Sequence, residues 1–305
     1  MKVAGSEERS LVTLCRLLGV TRQAYYQQRT RIERGAIQKS LLLDQVVKIR
    51  KEQRRIGVRK LFFLTAETRH EHGITMGRDG FFSMMREEGL LVRKRRSKKP
   101  RTTFSSPWMK RYPNLAREFC PSAPNQLWVS DITYIRVRKG FAYLSLVTDA
   151  YSRKIVGYDL CRDLSAKGCV AALAMALDHN PDRSRLIHHS DRGLQYYSNA
   201  YMKMLGDIRI SMTEKGDPLE NAIAERVNGI LKSELLERRF ESIVDARLGV
   251  ARAVSTYNHL RPHLSVDMLT PAVAHQRQGP LKRHWKNYYS GIKTVLAQEL
   301  ASANS

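Results

Sequence analysis

Hydrophobic and polar positions follow two rhythms along this chain, and the change of rhythm divides it. Over residues 10–27 (SLVTLCRLLGVTRQAYYQ), Leu11, Leu14, Leu17 and Leu18 repeat at helical spacing. Gly19 permits a turn and Thr21 is placed to cap a second helix, so the segment predicts a helix–turn–helix whose second helix is 22–27. An ordinary helical hairpin shares this pattern. Leu43, Val46, Val47 and Ile49 begin an amphipathic helix running to about residue 55, which Gly57 breaks. A further helix is predicted over 58–69 and another over 76–88, stopped by Gly89, with Phe81, Met84 and Met85 as core.

Residues 93–113 break both rhythms. RKRRSKKPR (93–101) carries seven basic side chains in nine residues, and the stretch after it interleaves Pro107 and Pro113 with Phe104, Trp108 and Tyr112. No core face can be drawn, which predicts a linker. Basic residues mixed with aromatics suit a segment that tracks a phosphate backbone.

Period two takes over at 126–137 (QLWVSDITYIRV). Val129, Asp131, Thr133 and Ile135 share one face, with Trp128, Ile132 and Tyr134 on or beside the other. Residues 141–148 and 154–160 read as two more strands, and the short turns make the three an antiparallel meander. A helix follows over 165–178 with Val170, Leu173, Ala174 and Leu177 inward. Then come a buried strand at 185–189, a helix at 198–205, a strand at 208–212 and a long helix from 219 to about 238, opened by Gly216-Asp217-Pro218. The order βββαβαβα predicts an α/β fold with a mixed sheet, the order of a ribonuclease-H-like core. The expected organisation is a short helix–turn–helix segment at 1–35, a helical DNA-binding unit at 36–92, a basic linker at 93–120, the core at 121–240 and a mostly helical C-terminal region at 241–305.

Composition sharpens this picture. The chain has 305 residues, 42% hydrophobic and 27% charged, so a globular class is expected. No run approaches the ~20 apolar residues of a membrane span. Glu7 and Glu8 stand where a signal peptide would be apolar, and Cys15, Cys120, Cys161 and Cys169 form no CxxC pair. Neither a disulfide framework nor a structural zinc is predicted, and a cytoplasmic, nucleoid-associated location is expected. The net charge is +24, of which residues 1–120 hold +17. A basic front on a near-neutral middle predicts a polyanion-binding module ahead of something else. Arg22 and Gln23 on the second helix, and Arg93, Lys94, Arg95, Arg96, Lys98, Lys99 and Arg101 in the linker, are the expected DNA contacts.

Three carboxylates stand out by position. Asp131 interrupts an apolar strand, where a carboxylate is costly unless a cation or donors compensate it. Asp191 follows the buried strand, and ligands of open α/β sheets collect at strand C-terminal ends. Glu225 shares a helix face with Asn221, Gly229 and Lys232. Brought together, Asp131, Asp191 and Glu225 would make a hard-oxygen site suited to two Mg²⁺ or Mn²⁺ ions, the arrangement for phosphodiester cleavage and transfer. Asp149, at a strand end, and Glu220 and Glu234, on the last helix, are competing positions.

QLWVSDITYI, LVTDAYSRKIVGYDL, HHSDRGLQYYS, SMTEKGDPLENAIAERVNGILKSE and YNHLRPHLSVDMLTP together resemble the DDE-class insertion-sequence transposases of the IS3 type, relatives of retroviral integrases. The resemblance covers about residues 40–275. It implies Asp131, Asp191 and Glu225 as catalytic metal ligands, and Lys232 and Asn221, the Asn of the family's Asp-Asn-Ala stretch, as DNA contacts near the active site. Two departures stand out: Glu220 replaces the Asp of that stretch, and 33 residues rather than 35 separate Asp191 from Glu225. The activity implied is 3′-end cleavage and strand transfer through a circular intermediate. The implied partners are double-stranded DNA at element ends and target, further copies of the chain on that DNA, and an upstream-frame helix–turn–helix protein. A DNA-binding regulator with an inert triad, or a plain Mg-dependent nuclease, are the alternatives.

Overall fold

The computed structural model describes residues 11–93, 111–214 and 218–284, and the chain divides into two compact units between Val92 and Arg93. The first unit is helical: α1 (Leu11–Leu17), α2 (Arg22–Glu52), α3 (Val58–Leu64), α4 (Ala66–Glu71) and α5 (Arg78–Glu87). Gly19 takes φ +66° in the turn after α1, and the Thr21 hydroxyl accepts the Ala24 N–H at 3.0 Å to cap α2. The short helix expected at 22–27 is instead the first turns of a 31-residue helix, so the 35/36 boundary falls inside α2. Residues 28–42 are rich in Gln, Arg, Leu and Ile, the Arg29–Glu33 pair (2.9 Å) sits one turn apart, and a single Gly35 costs only about 1 kcal/mol. The helix expected at 58–69 is split at Thr65, whose buried hydroxyl donates to the Leu61 carbonyl at 2.9 Å. Leu42, Val46, Ile56, Leu61, Phe81, Met84 and Met85 close this unit's core.

The second unit is an α/β layer. Its strands are β1 (Leu127–Val137), β2 (Gly140–Asp149), β3 (Ile155–Cys161), β4 (Ile187–Ser190) and β5 (Arg209–Met212), and the sheet order is β3-β2-β1-β4-β5. β1–β2 and β2–β3 pair antiparallel, while β4 runs parallel to β1 and β5 parallel to β4. This is the mixed sheet of the ribonuclease-H-like fold, with α6 (Ala166–Asp178) and α7 (Asn199–Leu205) packed on one face. The other face carries α8 (Ala222–Ile230), its continuation in a π turn at Leu231–Leu235, and α9 (Ile243–His259). α10 (Pro271–Ala274) closes the fold.

α6 lies flush on β3 because Gly157 has no side chain there: a Cβ would run into the Ala172 carbonyl oxygen. The inward face of α6 is Cys169, Ala172, Leu173, Ala176 and Leu177; Ala174, expected inside, is exposed. The small residues Cys169, Ala172 and Ala176 let the helix approach between Leu173 and Leu177.

Two expected boundaries move. Residues 111–120 belong to the core rather than to a linker: Tyr112, Ala116 and Phe119 pack on it, Leu115 N–H donates to Ser211 Oγ (2.9 Å) and Met212 N–H to the Pro113 carbonyl (3.3 Å). The core also continues past 240. Ala246, Val250, Val254 and Tyr257 of α9 bury into the same cluster as Leu144 and Leu146. Asn258 donates to and accepts from the Ile155 backbone, both at 3.0 Å, so it stands in for a neighbouring strand. The last helix ends at Leu235 rather than near 238. The expectations for the basic run at 94–101, for Gly216-Asp217 and for the terminal tail lie outside the described residues.

Candidate active site

The parallel register decides where the two aspartates go. Ser130 of β1 pairs with Ser190 of β4, so Asp131 and Asp191, each one residue further on, emerge side by side where the parallel pair ends. This is also where the sheet order reverses, β2 lying on one side of β1 and β4 on the other. Strands run about 4.8 Å apart, and at that spacing two ionised carboxylates repel by roughly 3 kcal/mol in a medium of effective dielectric about 20. Burial first, and the Asp191 charge next, push the Asp131 carboxyl up to about 7. Burial likewise raises Asp191, against the pull of the Gly193 N–H that donates to its Oδ1 at 3.0 Å.

α8 turns its polar face to this pair. Asn228 donates from Nδ2 to Asp131 Oδ2 at 2.7 Å, a charge-assisted bond worth about 1.5–3 kcal/mol. Glu225, three residues earlier, lies on the same face and is exposed, and its charge also acts on Asp131. The structure therefore brings Asp131 and Asp191 together and leaves Glu225 at the rim. Among the described residues, no three His, Cys, Asp or Glu side chains stand close enough to hold a metal ion. Lys232, in the π turn, lies within electrostatic reach of Asp131; burial lowers its ammonium pKa and Asp131 opposes this.

The start of α8 is tied to both aspartate strands. Asn221 donates from Nδ2 to the Ser130 carbonyl at 2.9 Å, one residue before Asp131. His189, two residues before Asp191, reaches the Glu220 carbonyl through Nε2 at 3.0 Å. A carbonyl only accepts, so Nε2 carries the proton and Nδ1 accepts from Ser211 Oγ at 2.8 Å. Burial lowers the His189 pKa, consistent with this neutral ring. On the opposite face of the sheet, His188 Nε2 lies 2.8 Å from both Ser130 Oγ and Tyr201 OH. Burial, then the neighbouring His189, push His188 down to about 3.

Each competing carboxylate is committed elsewhere. Asp149 Oδ1 accepts from the Ser152 N–H and hydroxyl, and its Oδ2 from Asn125 N–H, which makes it a turn residue. Glu220 pairs with Arg117 at 2.9 Å. Glu234 forms a two-pronged pair with buried Arg261, both contacts at 2.8 Å. Arg22 and Gln23 are exposed on the first turn of α2, and Arg93 is exposed where the second unit begins. Lys94, Arg95, Arg96, Lys98, Lys99 and Arg101 lie outside the described residues.

Sequence reasoning missed Asn228 and His189. For Asn228 a signal existed: an amide three residues after Glu225, on its face, inside the otherwise apolar run VNGIL. For His189 none did, because its partners are 22 and 31 residues away.

Two integrase core domain families match, over residues 121–218 and 206–271. The transposase InsF for insertion sequence IS3A of Escherichia coli (strain K12) is 32% identical over 274 residues, covering 87% of this chain and 93% of that protein. The insertion element IS600 uncharacterized 31 kDa protein of Shigella sonnei is 32% identical over 271 residues, covering 87% and 98%. This chain belongs to the IS3 family of DDE transposases. The HTLV-2 integrase catalytic core domain, solved in complex with magnesium, is 19% identical with a TM-score of 0.40, covering 50% of this chain and 97% of that one. As a DDE transposase the chain is a polynucleotidyl transferase, and enzymes of this class generally use a divalent metal. Among the described residues, no helix is long and apolar enough to cross a membrane.

The donor set fits such a metal. The site offers carboxylate and amide oxygens rather than thiolates, which suits Mg²⁺ or Mn²⁺. Asp131 and Asp191 are held where their own repulsion raises the Asp131 carboxyl, a cost that a nearby cation removes.

Proposed function

We propose that this transposase cleaves the 3′ ends of its insertion sequence and joins them to DNA, passing through a circular intermediate, with two divalent ions held by Asp131, Asp191 and Glu225. The observation that carries the reading is the half-buried Asp131–Asp191 pair, set by the Ser130–Ser190 register and faced by the helix that bears Glu225. When bound, two such ions supply activation of an attacking oxygen and stabilisation of a leaving 3′ oxygen at one phosphate.

The chain's own side chains prepare the site. Asn228 holds Asp131 in one orientation, and Asn221 and His189 fix the start of α8 against both aspartate strands. Glu225, on the helix face that Asn228 turns to Asp131, is the carboxylate that would join the aspartates from α8. Lys232 offers a positive charge on the same side to a phosphate of the DNA strand. The basic helical unit, with Arg22 and Gln23 on α2, and the run at 93–101 grip the element ends mainly through phosphates. Two ends react together, so the active species on DNA is at least a dimer, acting alone or with an upstream-frame helix–turn–helix protein.

The test is a labelled element-end duplex with Mg²⁺, comparing the native chain with Asp191→Asn. Joined product that falls by at least ~10³-fold in the variant supports the proposal. Cleavage without joining identifies a nuclease, and salt-sensitive binding without either identifies a regulator.

A further inference from the structure

A cavity of about 880 Å³ lies on the α8 side of the sheet, and neither aspartate lines it. Its walls are Leu127 and Val129 of β1, Ile223 at the start of α8, and the segment ending at Arg283. Arg153, from the tight turn between β2 and β3, also lines it. Glu225 sits on the same helix two residues beyond Ile223.

Arg153 is held unusually. Its backbone takes φ +68°, a left-handed conformation that a residue with a Cβ adopts only when its surroundings enforce it. Its Nη1 is sealed from water and has no hydrogen-bond partner among the described residues. The nearest carboxylate in the turn, Asp149, is saturated by Ser152 and Asn125 and forms no ion pair with the guanidinium. Burial lowers the Arg153 pKa. Tyr257, Asp149 and Cys120 oppose that, and the like charge of Arg283 adds to it. Arg283 itself is exposed at the cavity's edge. The remaining arginine of the lining, Arg117, is already paired with Glu214 and Glu220. Two guanidinium groups thus converge on one cavity whose lining carboxylate, Glu220, is already paired with Arg117, and a buried charge of this kind is tolerable when a counter-charge arrives.

We propose that this cavity is an anion site that takes a backbone phosphate of the bound DNA strand between Arg153 and Arg283. A guanidinium offers planar, paired donors that match phosphate oxygens. The apolar wall of Leu127, Val129 and Ile223 leaves room for the attached nucleoside. The position, at the start of the helix that carries Glu225, would anchor the strand a short distance from where it reacts. The DNA source of the phosphate rests on the transposase reading; the anion chemistry does not.

Two measurements on the full chain, both in EDTA, test this. Inorganic phosphate, compared with chloride at equal ionic strength, should raise the melting temperature of the native chain by about 2–5 °C and leave Arg283→Gln and Arg153→Gln nearly unmoved. For an element-end duplex, each substitution should weaken binding about 3–10-fold and lower the slope of log affinity against log salt by about 1. Equal stabilisation of all three proteins by phosphate overturns the site. Phosphate stabilisation lost in the variants with an unchanged duplex slope overturns the DNA source and leaves a site for a free anion. Arg283 is exposed, so its variant decides the matter even if Arg153→Gln does not fold. Failure of strand transfer in the Asp191 experiment would leave the phosphate result standing.

Discussion

In the helical unit the buried side chains are almost all apolar; Gln53 and Thr65 are the polar ones among its described residues. The α/β unit buries Ser130, Asp149, His188, His189, Ser190, Ser211, Asn221 and Asn228 beside its apolar clusters. The difference reflects the load each unit has to hold. On the proposed function the helical unit grips phosphates; such a surface keeps its charges in water, and an apolar interior is enough to support it. A site that draws carboxylates away from water gains from pairing the polar groups around them, because an unpaired buried group costs about 1–3 kcal/mol, although Ser190 Oγ, Asn221 Oδ1 and Asn228 Oδ1 have no partner among the described residues. The α/β unit therefore commits side chains to hydrogen bonds that link β1, β4, β5 and α8, and substitutions there should cost chemistry and stability together. Substitutions on the surface of the helical unit should cost binding alone.

The contrast is tested most strongly at Asn228. Asn228→Ala removes the one side-chain donor to Asp131 among the described residues, and strand transfer should fall about 10–100-fold, the range expected when the partner of a metal ligand is lost, the role proposed for Asp131. The rate–pH profile should also move to higher pH, because the lost bond had been lowering the Asp131 carboxyl. An unmoved profile would reduce Asn228 to a packing residue.

His189→Ala should cost about 1–3 kcal/mol in urea unfolding, since the Glu220 carbonyl and the Ser211 hydroxyl lose their partner. A loss confined to activity, with stability intact, would mean that the tie positions α8 without supporting the fold.

The Asp131 carboxyl sits at about 7 in the folded chain against an ordinary 3.8. The folded state binds the extra proton, so this contribution to stability is present below pH ~4 and is lost as pH rises through ~7. In EDTA the melting temperature should fall across that window. Asp131→Asn should flatten the fall and gain about 2–4 °C at pH 8 for each kcal/mol relieved. A metal-free melting temperature that rises from pH 4 to pH 7 in the native chain, and still rises in the variant, would show that other groups govern this range.

The smallest effects belong to the helical unit. Arg22→Ala should lower duplex affinity a few-fold and the salt slope by about 1, Gln23→Ala should leave the slope alone, and neither should move the melting temperature by more than about 1 °C. A large stability loss in either would break the contrast from the other side.

Much of the α/β unit was legible in the chain. The alternation from Leu127 to Val137, the meander turns and the apolar positions of α8 are local signals with periods of 2 and 3.6. The helical unit was less legible at 28–42, where exposed polar residues give little amphipathic contrast and α2 continues regardless. The roles of the YNHLRPH residues were not legible at all. Asn258 reaches Ile155 across 103 positions and Arg261 reaches Glu234 across 27.

By itself, then, the sequence determined the order of elements and the placing of Asp131 on a strand, Asp191 just beyond one and Glu225 on a helix, because each depends on the few residues around it. Only the tertiary structure decided that Ser130 pairs with Ser190, that Asn228 meets Asp131 and that Glu225 stays at the rim. Strand register and helix docking are set by hydrogen bonds and close packing between distant segments, and no local period encodes which of them will touch.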